Sequence, residues 1–421
     1  MESPRSTPAQ RFVWCLYDFG NSAFPTVIIT AVYALYFSQV VVDDTPPGRA
    51  DQLWGLATSL GALLVFLVAP LLGTLADGHG WKRPMLIVHA LLCAAATAGL
   101  AWTGAGTEVL AIVLVVLGLY AFEAGNVFYN AYLPELVDRA GIAVLSGRAW
   151  AFGYIGGLLC LLVVLGMTEF GLGVASVPLV VAVWFLLFTA PALWLLRDSH
   201  SRRSVATPFW ERIRGIRQHR ELGRFLLSLF FYMNALNTVY VFAVVFATRS
   251  LGFTTNESII LVIVLNVVAA PGAMLFARIA DRTGVRASIA LSLWLWLIVV
   301  VGSVWAAWPG AFESTTSAKT LFWGVAALAS LCIGATQATS RTYVAALAPP
   351  GMSGEFFGFM ALAGRASAVL GPWVFGEVSR ASGGDQRWAV ATIGGFFAIG
   401  LVLLALVREP VPGSAAGAGG E

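Results

Sequence analysis

The sequence predicts an all-α, polytopic membrane protein of twelve transmembrane helices, built as two related six-helix halves. Three observations carry that prediction: the composition, the length of the apolar runs and an internal echo between the halves. The 421 residues are 58% hydrophobic and only 11% charged, where a soluble globular chain carries about 25% charged residues. The 44 Gly and 15 Trp suit helices that pack closely in lipid and end at its interfaces. Crossing ~30 Å of hydrocarbon at 1.5 Å per residue takes about 20 apolar residues, and runs of that order recur along the whole chain.

The first run, 12–40, contains Asp18 and Pro25. No basic-then-apolar-then-small leader precedes it, so it is expected to remain as a span. Runs at 50–75 and 84–103 flank a polar turn. Runs at 108–133, 145–168 and 173–196 complete a first half over 1–197. Residues 198–223 then form the longest polar stretch, rich in Arg, with Phe209, Trp210, Ile213 and Ile216 at helical spacing. That is the pattern of an amphipathic helix lying on an anionic leaflet. The second half, 224–410, holds runs at 224–248, 256–279, 287–308, 319–345, 355–379 and 388–407, and 411–421 reads as a disordered Gly/Ala/Ser tail. Pro25, Pro70, Pro134, Pro271 and Pro372 are expected to kink or end helices.

Most of the 25 Lys and Arg fall on one set of loops. The opposite set holds Arg49, Arg249, Lys319, Arg380 and Arg387. Such asymmetry predicts that both termini are cytoplasmic. The net charge of +3 is thereby a matter of topology and gives no reason to expect nucleic acid. Compact loops and an Ala-, Gly- and Arg-rich composition point to a bacterial inner membrane. Cys15, Cys93, Cys160 and Cys332 all lie inside predicted spans and form no CxxC pair, so no disulfide or metal is expected.

Polar residues concentrate in spans 1, 4, 7 and 10. Asp18, Asn21 and Ser22 lie in the first. Glu123, Asn126 and Asn130 lie in the fourth, Asn234, Asn237 and Tyr240 in the seventh, and Gln337, Ser340 and Arg341 in the tenth. Their spacing puts each set on one helix face. A charge in the bilayer costs ~2.5–3.5 kcal/mol on insertion scales, so Asp18 and Glu123 are either satisfied ion-pair partners or members of a solute and ion site. A carboxylate in a cavity that changes sides can also take up and release a proton. No GxxxxGK[ST], HExxH or GxSxG occurs, the histidines do not cluster, and Asp43-Asp44 is an isolated acidic doublet. An intramembrane enzyme therefore lacks a catalytic constellation, and no cofactor is expected.

Gly73-Thr-Leu-Ala-Asp77-Gly-His-Gly80-Trp-Lys82-Arg83 is echoed by Ala280-Asp281-x-x-Gly284, and Gly147-Arg148-Ala149 by Gly364-Arg365-Ala366. The first of these segments resembles the loop motif of the major facilitator superfamily. The resemblance implies two six-helix bundles around a central cavity lined by helices 1, 4, 7 and 10. It also implies a latch drawn from Asp77, Gly80, Lys82, Arg83 and the second-half Asp281, with Arg148 and Arg365 in gating or structural roles. A narrower resemblance lies in Tyr17-Asp18-Phe19-Gly20-Asn21-Ser22-Ala23-Phe24, Phe128-Tyr129-Asn130-Ala131-Tyr132-Leu133-Pro134-Glu135, Gly153-Tyr154-Ile155-Gly156-Gly157, Glu355-Phe356-Phe357-Gly358 and Gly371-Pro372. These are similar to the autophagy-related vacuolar effluxer family and its bacterial relatives. The expectation is a monomeric secondary transporter that exports a small polar solute, an amino acid before others, coupled to protons. Multidrug or metabolite efflux, and a non-transporting receptor or scaffold, stand as alternatives.

Overall fold

A computed structural model of the chain describes residues 6–79, 81–137, 139–171, 173–197, 219–347 and 353–407. Among these residues there is no β-strand. The first span begins at α1 (Pro8–Asn21) and continues through a π-helical stretch (Phe24–Ala31), an α-helical turn (Val32–Tyr36) and a second π stretch (Phe37–Val41). The other long helices are α2 (Arg49–His79), α3 (Lys82–Gly99), α4 (Glu108–Ala131), α5 (Arg139–Glu169), α6 (Val177–Leu195), α7 (Arg220–Leu251), α8 (Thr255–Thr283), α9 (Val285–Ala306), α10 (Thr315–Leu347), α11 (Ser353–Ala381) and α12 (Gln386–Ala405). Every predicted span thus falls on a helix. Eleven of the twelve are long and apolar enough to cross a membrane among the described residues, and α11 has 29 residues. The predicted amphipathic linker and the C-terminal tail lie almost wholly outside the described residues.

Local sequence sets several of these ends. Thr7 and Gln10 form a reciprocal capping box, Gln10 N–H donating to Thr7 Oγ1 at 3.3 Å and Thr7 N–H to Gln10 Oε1 at 3.0 Å, with Pro8 at the first helical position. Pro25 has no N–H for the helical ladder, and it sits in the first turn of the π stretch that begins at Phe24. Gly383 and Gly384 adopt φ of 68° and 85° beyond α11. There Gly384 N–H donates to Ser379 O at 2.8 Å and closes the helix end.

The chain packs as two compact units. The first comprises Met1–Ala206, Tyr240–Arg249 and Phe253–Ile263, and the second Thr207–Val239, Ser250–Gly252 and Val264–Glu421. In the first unit α1 lies against α5 and α6, α4 against α2 and α3, and α3 against α6. In the second, α9 packs on α10 and α12, and α11 on α12. The α3·α4 and α3·α6 contacts therefore recur as α9·α10 and α9·α12, the pattern that an internal repeat dictates.

Glycines decide how closely helices approach. A Cβ on Gly156 would stand 2.0 Å from Phe19 O, one on Gly157 2.8 Å from Thr26 Oγ1, and one on Gly153 2.7 Å from Ser22 Oγ. The Gly153-x-x-Gly156-Gly157 segment is thus a groove into which α1 fits, backbone to backbone. Gly272 and Gly334 do the same between α8 and α10 in the second unit, with Leu331 O 2.2 Å from a Cβ on Gly272. Many large apolar side chains point outward, Trp194 and Phe170 among them at 77% and 88% exposed, as a lipid-facing surface requires.

Candidate functional site

The first unit joins two of the predicted polar faces. Asn21 of α1 donates through Nδ2 to Asn126 Oδ1 of α4 at 2.9 Å. Asn21 is 2% exposed, and its own Oδ1 is buried with no hydrogen-bond partner among the described residues. Buried acceptors are normally satisfied, so this oxygen is an open coordination position. Glu123 lies one turn before Asn126 on α4 and is half-buried. Asp18 lies one turn before Asn21 on α1 and is also half-buried. A Cβ at Gly153 would stand 3.3 Å from Asp18 Oδ2, so the missing side chain of Gly153 leaves room for the carboxylate. Among the described residues Asp18 has no ion-pair partner. Asn130 turns away from this group, donating to the Asn126 carbonyl of its own helix at 2.8 Å.

An aromatic clamp holds α1 and α4 together beside these groups. Tyr129 stacks on Trp14 at 4.6 Å and on Tyr17 at 4.7 Å between centroids. Trp14 Nε1–H donates to Tyr129 O at 3.0 Å, and Tyr129 O–H donates back to Trp14 O at 3.0 Å. In the sequence Tyr17 and Tyr129 belong to family-like segments and carry no task of their own. Their spacing gives no hint of it, because the reciprocal bonds depend on how α1 crosses α4.

In the second unit the same kind of polar face is used differently. Asn234 of α7 is fully buried; its Nδ2 donates to Phe230 O at 2.7 Å and its Oδ1 accepts the Gly371 N–H of α11 at 2.9 Å. Pro372 follows at once and interrupts the helix ladder, so Asn234 satisfies the backbone at that break. Asn237 Nδ2 donates to Ser367 Oγ of α11 at 3.1 Å. On α10, Ser340 is tied to Tyr232 O–H at 2.7 Å, Gln337 is half-buried and Arg341 is exposed. Tyr240, on the stretch of α7 that belongs to the first unit, is half-buried.

The basic end of the loop motif makes defined contacts inside the first unit. Lys82 forms an ion pair with Glu135 in the short helix after α4. Arg83 donates from Nε to Leu193 O at 2.9 Å and from Nη2 to Trp194 O at 3.2 Å. A guanidinium on the last carbonyls of α6 complements both the unpaired acceptors and the helix dipole. The side chain of Asp77, and Gly80, lie outside the described residues. Asp281 and Arg148 are exposed and Arg365 half-buried. Gly147 and Gly364, each one residue before its Arg, have nothing within 4 Å of a built Cβ. The four cysteines are free and buried, and the described residues contain no His/Cys/Asp/Glu group that could hold a metal ion.

Comparison with known proteins bears on this arrangement. The profile of the family described as "Vacuole effluxer Atg22 like" matches residues 54–410. An uncharacterized MFS-type transporter of Bacillus subtilis, YxiO, is 26% identical over 94% of each chain. Autophagy-related protein 22 of Eremothecium gossypii is 22% identical, covering 87% of this chain and 85% of its own. Among solved structures, the nucleoside transporter NupG superposes with a TM-score of 0.70 at 12% identity over 95% of this chain and 98% of its own. A D-xylose-proton symporter does so with a TM-score of 0.68 at 17% identity over 95% and 98%.

Proposed function

Since the chain belongs to the Atg22-like effluxer family and has the major facilitator fold, it is a membrane transporter rather than an enzyme, and we propose that it exports a small polar solute, an amino acid before other candidates, by proton-coupled alternating access. The observation that carries the reading is the Asn21–Asn126 amide pair with its open Oδ1, in the crossing of α1 and α4. An amide acceptor beside the carboxylates of Asp18 and Glu123 offers what a solute ammonium group needs. Asn130, Asn237, Tyr240, Gln337 and Arg341 are further candidates for the polar lining, and Arg341 is the cation among them that would suit a solute carboxylate. Asn234 joins the list with less support, because both ends of its amide are already engaged.

Coupling needs a group that changes protonation as access changes sides. Glu123 is the first choice, and the absence of an ion pair to Asp18 among the described residues supports that residue as the second. One proton entering down a membrane potential supplies ~2.3 kcal/mol per 100 mV, and a tenfold solute gradient costs ~1.4 kcal/mol. A single proton per cycle therefore suffices. Asp77, Gly80, Lys82, Arg83 and Asp281 form the proposed latch region, with Arg148 and Arg365 as gating candidates. The proposed setting is a bacterial cell membrane, with both termini cytoplasmic and the chain monomeric.

The test is amino-acid flux in proteoliposomes under an imposed pH gradient, comparing the wild type with Glu123→Gln and Asp18→Asn. Flux that follows the gradient and collapses in one of the two variants is the expected result. Gradient-driven flux that survives both substitutions would overturn the coupling assignment. Folded protein that moves no amino acid would shift the reading to metabolite or drug efflux, for which the aromatic surroundings of α1 and α4 leave room.

A further inference from the structure

One stripe of the first span carries side-chain oxygens that no other group engages among the described residues. Asp18, Ser22 and Thr26 follow one another at four-residue steps and share a face. That face meets the glycine groove of α5. A Cβ on Gly153 would stand 2.7 Å from Ser22 Oγ and 3.3 Å from Asp18 Oδ2, so both oxygens lie close to one point, and a Cβ on Gly157 would stand 2.8 Å from Thr26 Oγ1. All three side chains are half-buried, and among the described residues none makes a hydrogen bond or ion pair. For the two hydroxyls this is a departure. A Ser or Thr inside a helix commonly gives its hydroxyl to the carbonyl four residues earlier, as Thr97, Thr189, Thr238 and Thr339 do to Cys93, Phe185, Asn234 and Ala335. Ser22 and Thr26 keep theirs open at the groove.

Asn21 adds two more oxygens at the same level of the span. Its Nδ2 is spent on Asn126, and the planar amide turns Oδ1 away from that contact, buried and without a partner among the described residues. Pro25 brings no N–H, so the Asn21 carbonyl lacks the donor that a regular helix supplies from four residues on. The α-helical part of the span ends at Asn21, and its last turn holds no basic residue. A helix C-terminus favours a cation, and a carboxylate inside a span is costly without a counter-charge. Oxygen ligands of this kind suit a hard cation. One carboxylate balances one positive charge, and the described residues hold no cluster of His, Cys, Asp or Glu for a divalent metal. The close approach of α1 to α5 at these glycines favours a small ion.

We propose that Asp18, Ser22 and Thr26, with Asn21 Oδ1, form a binding site for a sodium ion. The ion shares Asp18 and Asn21 with the solute and proton site proposed above, and a solute ammonium group presents the same charge to them. The test therefore contains neither solute nor pH gradient. Thermal unfolding of the purified protein in detergent is followed while sodium chloride replaces choline chloride at constant ionic strength. An ion that binds the folded chain raises the melting temperature with its concentration, and sodium should do so with a measurable half-effect while choline does not. Ser22→Ala and Thr26→Val each remove one oxygen and should raise the sodium concentration of half-effect at least about tenfold, the loss that even outer-shell partners of a metal site bring. Thr26→Ser keeps the oxygen and should stay near the wild type, and Asp18→Asn should abolish the sodium response. Sodium no more effective than choline in the wild type would overturn the site. So would an unchanged half-effect in Ser22→Ala or, if that variant does not fold, in Thr26→Val. Potassium as effective as sodium would overturn the identity of the ion. Proton-driven flux in the same proteins separates any of these failures from a failure of the transport reading.

Discussion

Replacing Gly156 by alanine puts one methyl carbon 2.0 Å from Phe19 O, 2.6 Å from Phe19 C and 2.7 Å from Phe19 Cα. An ordinary carbon–oxygen contact is no closer than ~3.3 Å, so α1 and α5 must part by more than an ångström along a backbone-to-backbone seam. The neighbour is main chain and cannot rotate away. Overpacking of this kind costs ~1–3 kcal/mol. The better helix propensity of alanine returns at most ~1 kcal/mol. Gly147 lies on the same helix with nothing within 4 Å of a built Cβ, so Gly147→Ala should gain the propensity term and lose nothing. The two substitutions, chemically identical, are thus expected to move stability in opposite directions. Thermal unfolding in detergent, followed by tryptophan fluorescence, reads the difference, with ~2–4 °C per kcal/mol for a unit of this size. A Gly156→Ala protein that melts with or above the Gly147→Ala protein would refute the claim that this seam sets the position of α1. Because α1 carries Asp18 and Asn21, the same displacement should also lower flux.

Two more outcomes follow from the second unit. Asn234→Ala leaves the buried Gly371 N–H without its acceptor, and stranding such a group costs ~1–3 kcal/mol; Asn237→Ala, at a half-buried position, should cost clearly less in the same melt. Asp385→Ala removes the side chain that caps α12 and holds Arg387, bonded at 2.7 and 2.6 Å, a loss of ~0.5–2 kcal/mol. That loss depends on pH. Hydrogen bonding from Arg387 holds the Asp385 carboxyl below its ordinary value. Its contribution is therefore complete above the unfolded value near ~4 and is lost only as pH falls through the lower folded value. The gap between wild-type and variant melting temperatures should be full at neutral pH and narrow only in strongly acid buffer; a gap that closed above the ordinary carboxylate range would contradict the assignment.

Hydropathy exposes spans because each needs about 20 apolar residues, and it loses their ends because nothing forbids a helix from continuing past the hydrocarbon. α5 starts at Arg139 where the apolar run starts at 145, α7 at Arg220 instead of 224 and α10 at Thr315 instead of 319. The extra turns carry Arg139, Arg220 and Glu221, which ordinary helical hydrogen bonding accommodates in water. The polar faces were legible for the same reason that helices are: spacing by three, four and seven selects a side. Spacing cannot say what the side meets. Asn21 meets Asn126 with an acceptor left over, while Asn234, on an equally regular face, meets a broken backbone at Gly371 and is consumed by it. The difference lies in the register of α11 against α7, which no local pattern encodes.

Charges at the chain's loop ends pose that problem in its sharpest form. In the sequence, Asp43-Asp44 is an isolated doublet and Arg249 one cation among the few on the sparsely charged side, useful only for orienting the bundle. Folding makes Asp44 a helix cap, buries Asp51 and brings Arg249 to both. Burying a carboxylate is costly unless a cation accompanies it, and Arg49, the local cation, already serves Glu108. A pair assembled from the beginning of one half and the first hairpin of the other stabilises one arrangement of those segments at the expense of every arrangement in which they part. Static stability alone could have been met by an aspartate partner on a neighbouring turn, as Asp385 and Arg387 meet theirs two residues apart. A cation at long range instead ties the start of α2 to the end of α7, a contact that no local pattern of charges announces.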